Sequence, residues 1–222
     1  MQRNGGLKLK LEVKNISKKL NNRIILHNIS LKLESGKIYG FVGRNGSGKT
    51  MLFRAISGLM KPDEGEISLD EKILYKDMEI MPNLGIIIEN AGLFPEYSGK
   101  KNLEILAAIN KKITSKEISE AIKRVGLDPY DKKPFKKYSL GMKQRLVIAQ
   151  AIMEKPDIIL LDEPTNAIDQ KGVEDIRKLI LEEKERGAIV AIASHNREDI
   201  TILADKVFYM DEGKITEEND NE

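Results

Sequence analysis

The chain has 222 residues, is 41% hydrophobic and 32% charged, and sets 37 Lys and Arg against 35 Asp and Glu. At about 100–200 residues per domain this suits one large domain, or a core with one insertion, and so even a charge balance argues against a dedicated nucleic-acid binder. Cysteine is absent, which excludes disulfides, thiolate metal sites and thiol nucleophiles and agrees with a reducing cytosol.

The first residues, MQRNGGLKLKLEVKNI, alternate apolar and charged types and lack the apolar core of a secretory leader. Apolar runs such as Ile158–Leu161 fall far short of the roughly 18 residues a spanning helix needs. Period-two alternation predicts strands at 7–13 and 29–33, each with one wet face. After the turn Glu34-Ser35-Gly36-Lys37, the run Ile38–Val42 reads as a buried central strand, with Tyr39 and Phe41 in the core. A helix is expected over about 49–59, and further strands at 66–69 and 84–88. From about 89 to 155 the spacing turns helical: 101–110, then 115–125 capped by Ser115 and stopped by Gly126, then a helix capped by Ser139 that ends before Pro156. Beyond Pro156 strands at 158–161, 189–194 and 206–210 alternate with helices at 173–185 and 197–204, the pattern of a parallel sheet with covering helices. Asp211-Glu212-Gly213-Lys214 predicts a hairpin turn, and the acidic end from Glu217 a frayed tail. Asn15-Ile16-Ser17 and Asn28-Ile29-Ser30 match a glycosylation sequon by chance.

Gly43-Arg44-Asn45-Gly46-Ser47-Gly48-Lys49-Thr50 fits G-x-x-x-x-G-K-[ST] between a buried strand and a helix, the context of a Walker A loop. Glycines let backbone N–H groups converge on phosphate oxygens, and the helix N-terminus adds positive partial charge. Lys49 would reach the β and γ phosphates of ATP, and the Thr50 hydroxyl would ligate Mg²⁺. Ile158-Ile159-Leu160-Leu161-Asp162-Glu163 is an apolar strand ending in two acids. Alone it reads most simply as a buried strand with solvent-facing charge; beside a Walker A loop it is the expected Walker B. Asp162 would then hold Mg²⁺ and Glu163 would polarise the attacking water.

Three further segments resemble one family. Tyr138-Ser139-Leu140-Gly141-Met142-Lys143-Gln144-Arg145 is similar to the signature motif of ATP-binding cassette (ABC) proteins, LSGGQ followed by Gln-Arg. Asn166-Ala167-Ile168-Asp169 resembles the D-loop, and Ala193-Ser194-His195 the switch-histidine loop. Order and spacing match across nearly the whole chain. The resemblance implies an α/β P-loop NTPase fold: a mostly parallel RecA-like core with an N-terminal antiparallel β subdomain (1–88 and 156–222) and an inserted α-helical subdomain (89–155). It implies a homodimer or heterodimer closed head to tail, with each ATP between one Walker A loop and the other subunit's Ser139 and Gly141. His195 would donate to the γ-phosphate or the water, and Asp169 would reach across the dimer, cap a helix, or both. The chain would be an ATPase that drives a separate transmembrane permease from the cytoplasmic face of the membrane, with no nucleic-acid partner.

Some positions depart from the pattern. Leu140 replaces the first signature glycine and Met142 the glutamine, and Glu89 stands at the Q-loop position, where its carboxylate would also coordinate Mg²⁺. These variants resemble the bacitracin- and lantibiotic-export and immunity type, which implies an exporter of a peptide antibiotic, lipid or similar amphiphile. The usual adenine-stacking aromatic aligns with Leu20, which leaves the base contact open. Phe94, Pro95 and Tyr97 are the expected apolar anchors for the permease, and the paired lysines near the helical region read as a solvated face. A soluble cassette with a non-transport role, such as cluster assembly, is the alternative function.

Overall fold

The structure is a computed structural model and describes residues 9–88 and 92–220, with side chains to residue 216. Leu7, Glu89 and the final residues 221–222 lie outside the described residues.

The N-terminal strands run longer than the alternation predicts. β1 (Lys10–Leu20) and β2 (Arg23–Glu34) form one antiparallel hairpin. The pairing register shifts three times along the hairpin, which interrupts the period-two pattern and hides its length; at the first two shifts Asn15 and Asn28 take φ values of 52° and 50°. The two Asn-Ile-Ser tripeptides brace each other there. The Asn15 N–H donates to Ser30 Oγ at 2.8 Å and the Asn28 N–H to Ser17 Oγ at 3.1 Å. Between them Ile16 pairs with Ile29, both buried. With β4 (Glu64–Leu69) and β5 (Lys72–Ile73) they make a four-stranded antiparallel sheet in the order β2-β1-β4-β5, β3 (Lys37–Val42) belonging to the second sheet.

That second sheet has six strands, completed by β6 (Leu84–Ile87), β7 (Ile158–Asp162), β8 (Ile189–Ala193), β9 (Lys206–Asp211) and β10 (Lys214–Asp220), in the order β10-β9-β3-β8-β7-β6. Its pairings are parallel except that of β10 with β9. The acidic end expected to fray is instead paired through Asp220, because an edge strand needs backbone hydrogen bonds to one neighbour and no apolar face.

The continuous apolar strands are covered on both faces, as parallel sheets require. On one side Ile158 and Leu160 of β7 pack with Tyr39, Phe41 and the helix α1 (Lys49–Ser57), backed by the antiparallel sheet. Phe41 stacks on Phe208 at 5.1 Å and meets Phe53 of α1 edge-on at 5.4 Å, pairs worth about 0.5–1.5 kcal/mol each beyond their burial. On the other side Ile159 and Leu161 pack with helices. These are α2 (Gly99–Asn110), α3 (Ser115–Arg124), α4 (Leu140–Ile152), α5 (Gln170–Glu185) and α6 (Arg197–Leu203).

Caps set the helix starts. Ser139 caps α4 as expected, accepting from the Met142 N–H. For α3 the cap is Thr114 and not Ser115: Thr114 and Glu117 form a reciprocal capping box, which leaves Ser115 as the first helical residue. Asp169 caps α5 and starts it three residues before the expected Val173.

Candidate active site

The loop between β3 and α1 is built by what its residues lack. A Cβ at Gly43 would sit 2.3 Å from the Met210 carbonyl oxygen and 2.5 Å from Ser47 Oγ, so only glycine lets the loop pass this close to β9. Gly48 opens the helix at φ 109°, a conformation that L side chains rarely adopt. The Ser47 N–H closes a turn onto the Arg44 carbonyl at 3.0 Å. Behind it the β9–β10 turn acts as a brace: the Gly213 N–H donates to the Ser47 carbonyl and the His27 N–H to the Gly213 carbonyl.

The Lys49 side chain is buried and curls back over the loop, its Nζ donating to the Gly43 carbonyl at 2.7 Å and the Arg44 carbonyl at 3.2 Å. No acid lies in the first turn of α1 to offset the positive end of its dipole. Ser47 Oγ is buried without a hydrogen-bond partner. Arg44, Asn45 and Gly46 are exposed, and Arg44 pairs with Asp211 at 3.4 Å. Buried ammonium, orphaned hydroxyl and an uncompensated helix end make an electropositive nest of the kind that binds phosphate.

A cavity of about 430 Å³ opens here, lined by Asn45, Gly46, Ser47, Lys49, Thr50, Ile87, Gln144, Asp162, Glu163 and Asn166. Thr50 Oγ1 donates to Asp162 Oδ2 at 2.5 Å, which joins the helix start to the end of β7. Glu163 takes φ 50° and is held through its N–H, its carbonyl and its carboxylate. Its N–H donates to the Ala193 carbonyl at 2.8 Å, and its carbonyl accepts from Gln144 Nε2 at 3.1 Å. Its carboxylate accepts from the His195 N–H at 3.0 Å and lies 2.8 Å from His195 Nδ1. His195 is 65% exposed, at the rim and not among the lining residues.

Ser139 and Gly141 are not brought into this cavity. They stand at the start of α4, where a Cβ on Gly141 would meet the Ala167 carbonyl at 2.9 Å. Leu140 takes the first helical position with its side chain 73% exposed, so glycine is not needed there. Asp169 caps α5 within its own chain and pairs with Arg145 at 2.9 Å.

Gln144 stands out in the sequence only as part of the signature segment, and Asn102 does not stand out at all. Gln144 also donates to the Pro164 carbonyl at 3.1 Å, which ties the helix behind Ser139 to the strand end that carries Glu163. Asn102 is fully buried and binds the loop ahead of α2, accepting from the Phe94 N–H and donating to the carbonyls of Phe94, Tyr97 and Ser98. The signal for Gln144 is the Gln-Arg pair that ends the signature segment, and for Asn102 a polar side chain on a helix face that otherwise reads as apolar.

The ABC transporter family model matches residues 26–166, more than half the chain. It belongs to the ABC transporter family of ATP-binding proteins. An uncharacterized ABC transporter ATP-binding protein of Bacillus subtilis, YybJ, is 50% identical over 92% of this chain and 94% of its own length. The bacitracin transport ATP-binding protein BcrA of Bacillus licheniformis is 37% identical over 94% of this chain and 69% of its own. The lantibiotic transport ATP-binding protein SrtF of Streptococcus pyogenes is 33% identical over 92% and 88%. Among solved structures, the dimeric cassette MJ0796 bound to ADP and Pi superposes with a TM-score of 0.84 at 25% identity, over 96% of this chain and 99% of that one. The cassette is thus an ATP-binding α/β ATPase, the subunit of an ABC transporter. No helix among the described residues is long and apolar enough to cross a membrane.

Proposed function

We propose that this cassette hydrolyses Mg-ATP between two ATP-binding subunits and so drives a separate membrane permease that exports a peptide antibiotic, lipid or similar amphiphile. The observation that carries the reading is the division of the site: phosphate cradle and carboxylates share one cavity, while Ser139 and Gly141 are not among the residues that line it. A second subunit, brought head to tail, would supply the missing wall, and the MJ0796 cassettes are described as dimeric. Homodimer and heterodimer use this surface alike.

The donor set suits a hard divalent cation. Thr50 hydroxyl and Asp162 carboxylate are adjacent oxygen donors beside the cradle, and no cluster of three metal-ligating side chains occurs among the described residues, so the ion would share its shell with phosphate oxygens. Bound there, Mg²⁺ supplies charge neutralisation on the β and γ phosphates. Lys49 would bind the same oxygens, with its ammonium already held at the loop. Gly43 to Gly48 would donate backbone N–H groups. Glu163 would accept a hydrogen bond from the attacking water, with His195 fixing that carboxylate.

The permease would dock beside the loop that Asn102 holds, where Phe94, Pro95 and Tyr97 stand exposed. This docking would keep the cassette on the cytoplasmic face. Export is supported by the resemblance of the Ser139 to Gln144 segment to the export type and by relatives described as bacitracin and lantibiotic transport ATP-binding proteins.

The test is equilibrium ATP binding and turnover by the purified chain. Lys49→Ala should abolish Mg²⁺-dependent ATP binding, and Glu163→Gln should retain it while turnover falls at least a hundredfold, by about 2.7 kcal/mol of barrier. Parent-like turnover in Glu163→Gln would overturn the role given to that carboxylate.

A further inference from the structure

Behind the exposed Glu163–His195 contact lies a second, buried link between the same two segments of chain. Thr165, two residues after Glu163, donates its hydroxyl to Asp199 Oδ2 at 2.5 Å. Asp199, four residues after His195, is fully buried in the first turn of α6. Its other oxygen is held by Arg177 of α5, with Nε at 2.8 Å and a terminal nitrogen at 2.6 Å. Between the two links, Asn196 caps α6 by accepting from the Glu198 N–H, and its own N–H donates to Ser194 Oγ.

Beside the backbone bond from the Glu163 N–H to the Ala193 carbonyl and the 3.4 Å contact of Ser194 Oγ with Glu163 Oε2, the two segments are therefore joined by an outer and an inner side-chain rung. The outer rung joins an exposed His195 to a partly buried Glu163, so water competes for its hydrogen bonds more than for those of the inner one. The inner rung, Thr165 to Asp199, is dry and charge-assisted, and the guanidinium of Arg177 neutralises its carboxylate. Glu163 needs such support, since it holds φ 50° against the steric preference of an L side chain.

Resting on the ATPase reading above, we infer that Thr165 and Asp199 are positioning residues for hydrolysis: their buried hydrogen bond, clamped by Arg177, holds the His195 segment at the distance that aims the Glu163 carboxylate at the attacking water. Neither residue lines the nucleotide cavity, so neither contributes to ATP affinity.

The experiment compares the parent with Thr165→Val, which keeps shape and loses the donor, and Thr165→Ser, which keeps the donor. Steady-state ATP hydrolysis is measured on the full chain and normalised to the fraction that binds a fluorescent ATP analogue, so that unfolded protein is not counted. Thr165→Val should lower kcat at least tenfold, with KM and analogue affinity within twofold of the parent; Thr165→Ser should stay within threefold in kcat. If Thr165→Val does not fold, Thr165→Ala, which adds no bulk, is read by the same criteria. Equal kcat in Thr165→Val and parent overturns the inference, as does an equal loss in Thr165→Ser, or kcat and affinity that fall together. A parent that binds the analogue and never hydrolyses ATP overturns the ATPase reading and this inference with it, a result distinct from all the others.

Discussion

Glu12 on β1 lies among Lys10, Lys14 and Lys32, whose ammonium groups stand 2.8, 3.5 and 3.3 Å from its carboxylate. The hydrogen bond from Lys10 is the largest influence, burial opposes it, and Lys32 adds to it; together they lower the carboxyl from an ordinary 4.5 to about 2. A lowered folded value means that the contribution to stability is complete above pH 4.5 and is lost as pH falls through about 2. A carbon-detected NMR titration should therefore find the Glu12 midpoint near 2, and Lys10→Met should move it up towards 4.5. A parent midpoint at the ordinary value would refute the cluster. Residues of this kind divide by how much of their role lies in their own chemistry. Gly43, Gly48, Lys49 and Asp162 were legible because a phosphate cradle accepts few other side chains at those places. The partners of Gln144, Asn102 and Thr165 were not, since a polar side chain has many uses and only the fold shows which carbonyl or carboxylate it meets.

Helices α2, α3 and α4 follow one another between β6 and β7, and each starts at a side-chain cap. The periodicity of the sequence located all three because their buried faces repeat at helical spacing. It misplaced one cap by a single residue, since Thr114 and Ser115 are both good cap residues and only the spacing to Glu117 decides between them. Glu117 Oε2 accepts from the Thr114 N–H at 2.8 Å while its own N–H donates to Thr114 Oγ1 at 3.3 Å. Losing such a cap costs about 1 kcal/mol. Thr114→Ala should lower stability in a urea melt by roughly that amount. Ser115→Ala should change it by less than about 0.5 kcal/mol, because its exposed hydroxyl donates to the partly exposed Glu104 carboxylate and to no backbone group of the cap. Equal losses in the two variants would return the cap to Ser115. The β1–β2 hairpin shows the opposite limit: alternation predicted its ends and missed its middle, where two left-handed asparagines shift the register by a residue.

Across the whole molecule, the cavity holds everything a phosphate needs except a cover. Of the signature segment in the same chain Gln144 lines it, while Ser139 and Gly141 do not, and Ser139 presents a capped helix start outward beside the exposed Leu140. If ATP joins two subunits, the Ser139 hydroxyl and the α4 N-terminus of each must bind the terminal phosphate held by the other. A hydrogen bond to a charged group is worth about 1.5–3 kcal/mol, and a two-fold pair contains it twice. Loss of both should weaken association by about two to four orders of magnitude. The measurement is sedimentation of Glu163→Gln with excess Mg-ATP, in which turnover no longer separates the pair. That variant should sediment as a dimer, and Glu163→Gln combined with Ser139→Ala as a monomer that still binds ATP. Because Ser139 also caps α4, the combined variant should lose about 1 kcal/mol of stability, too little to unfold the chain. A monomer in both variants would leave the cradle a single-chain ATP site and remove the head-to-tail arrangement. A dimer in both would place the joining surface elsewhere, on contacts that do not pass through the phosphate.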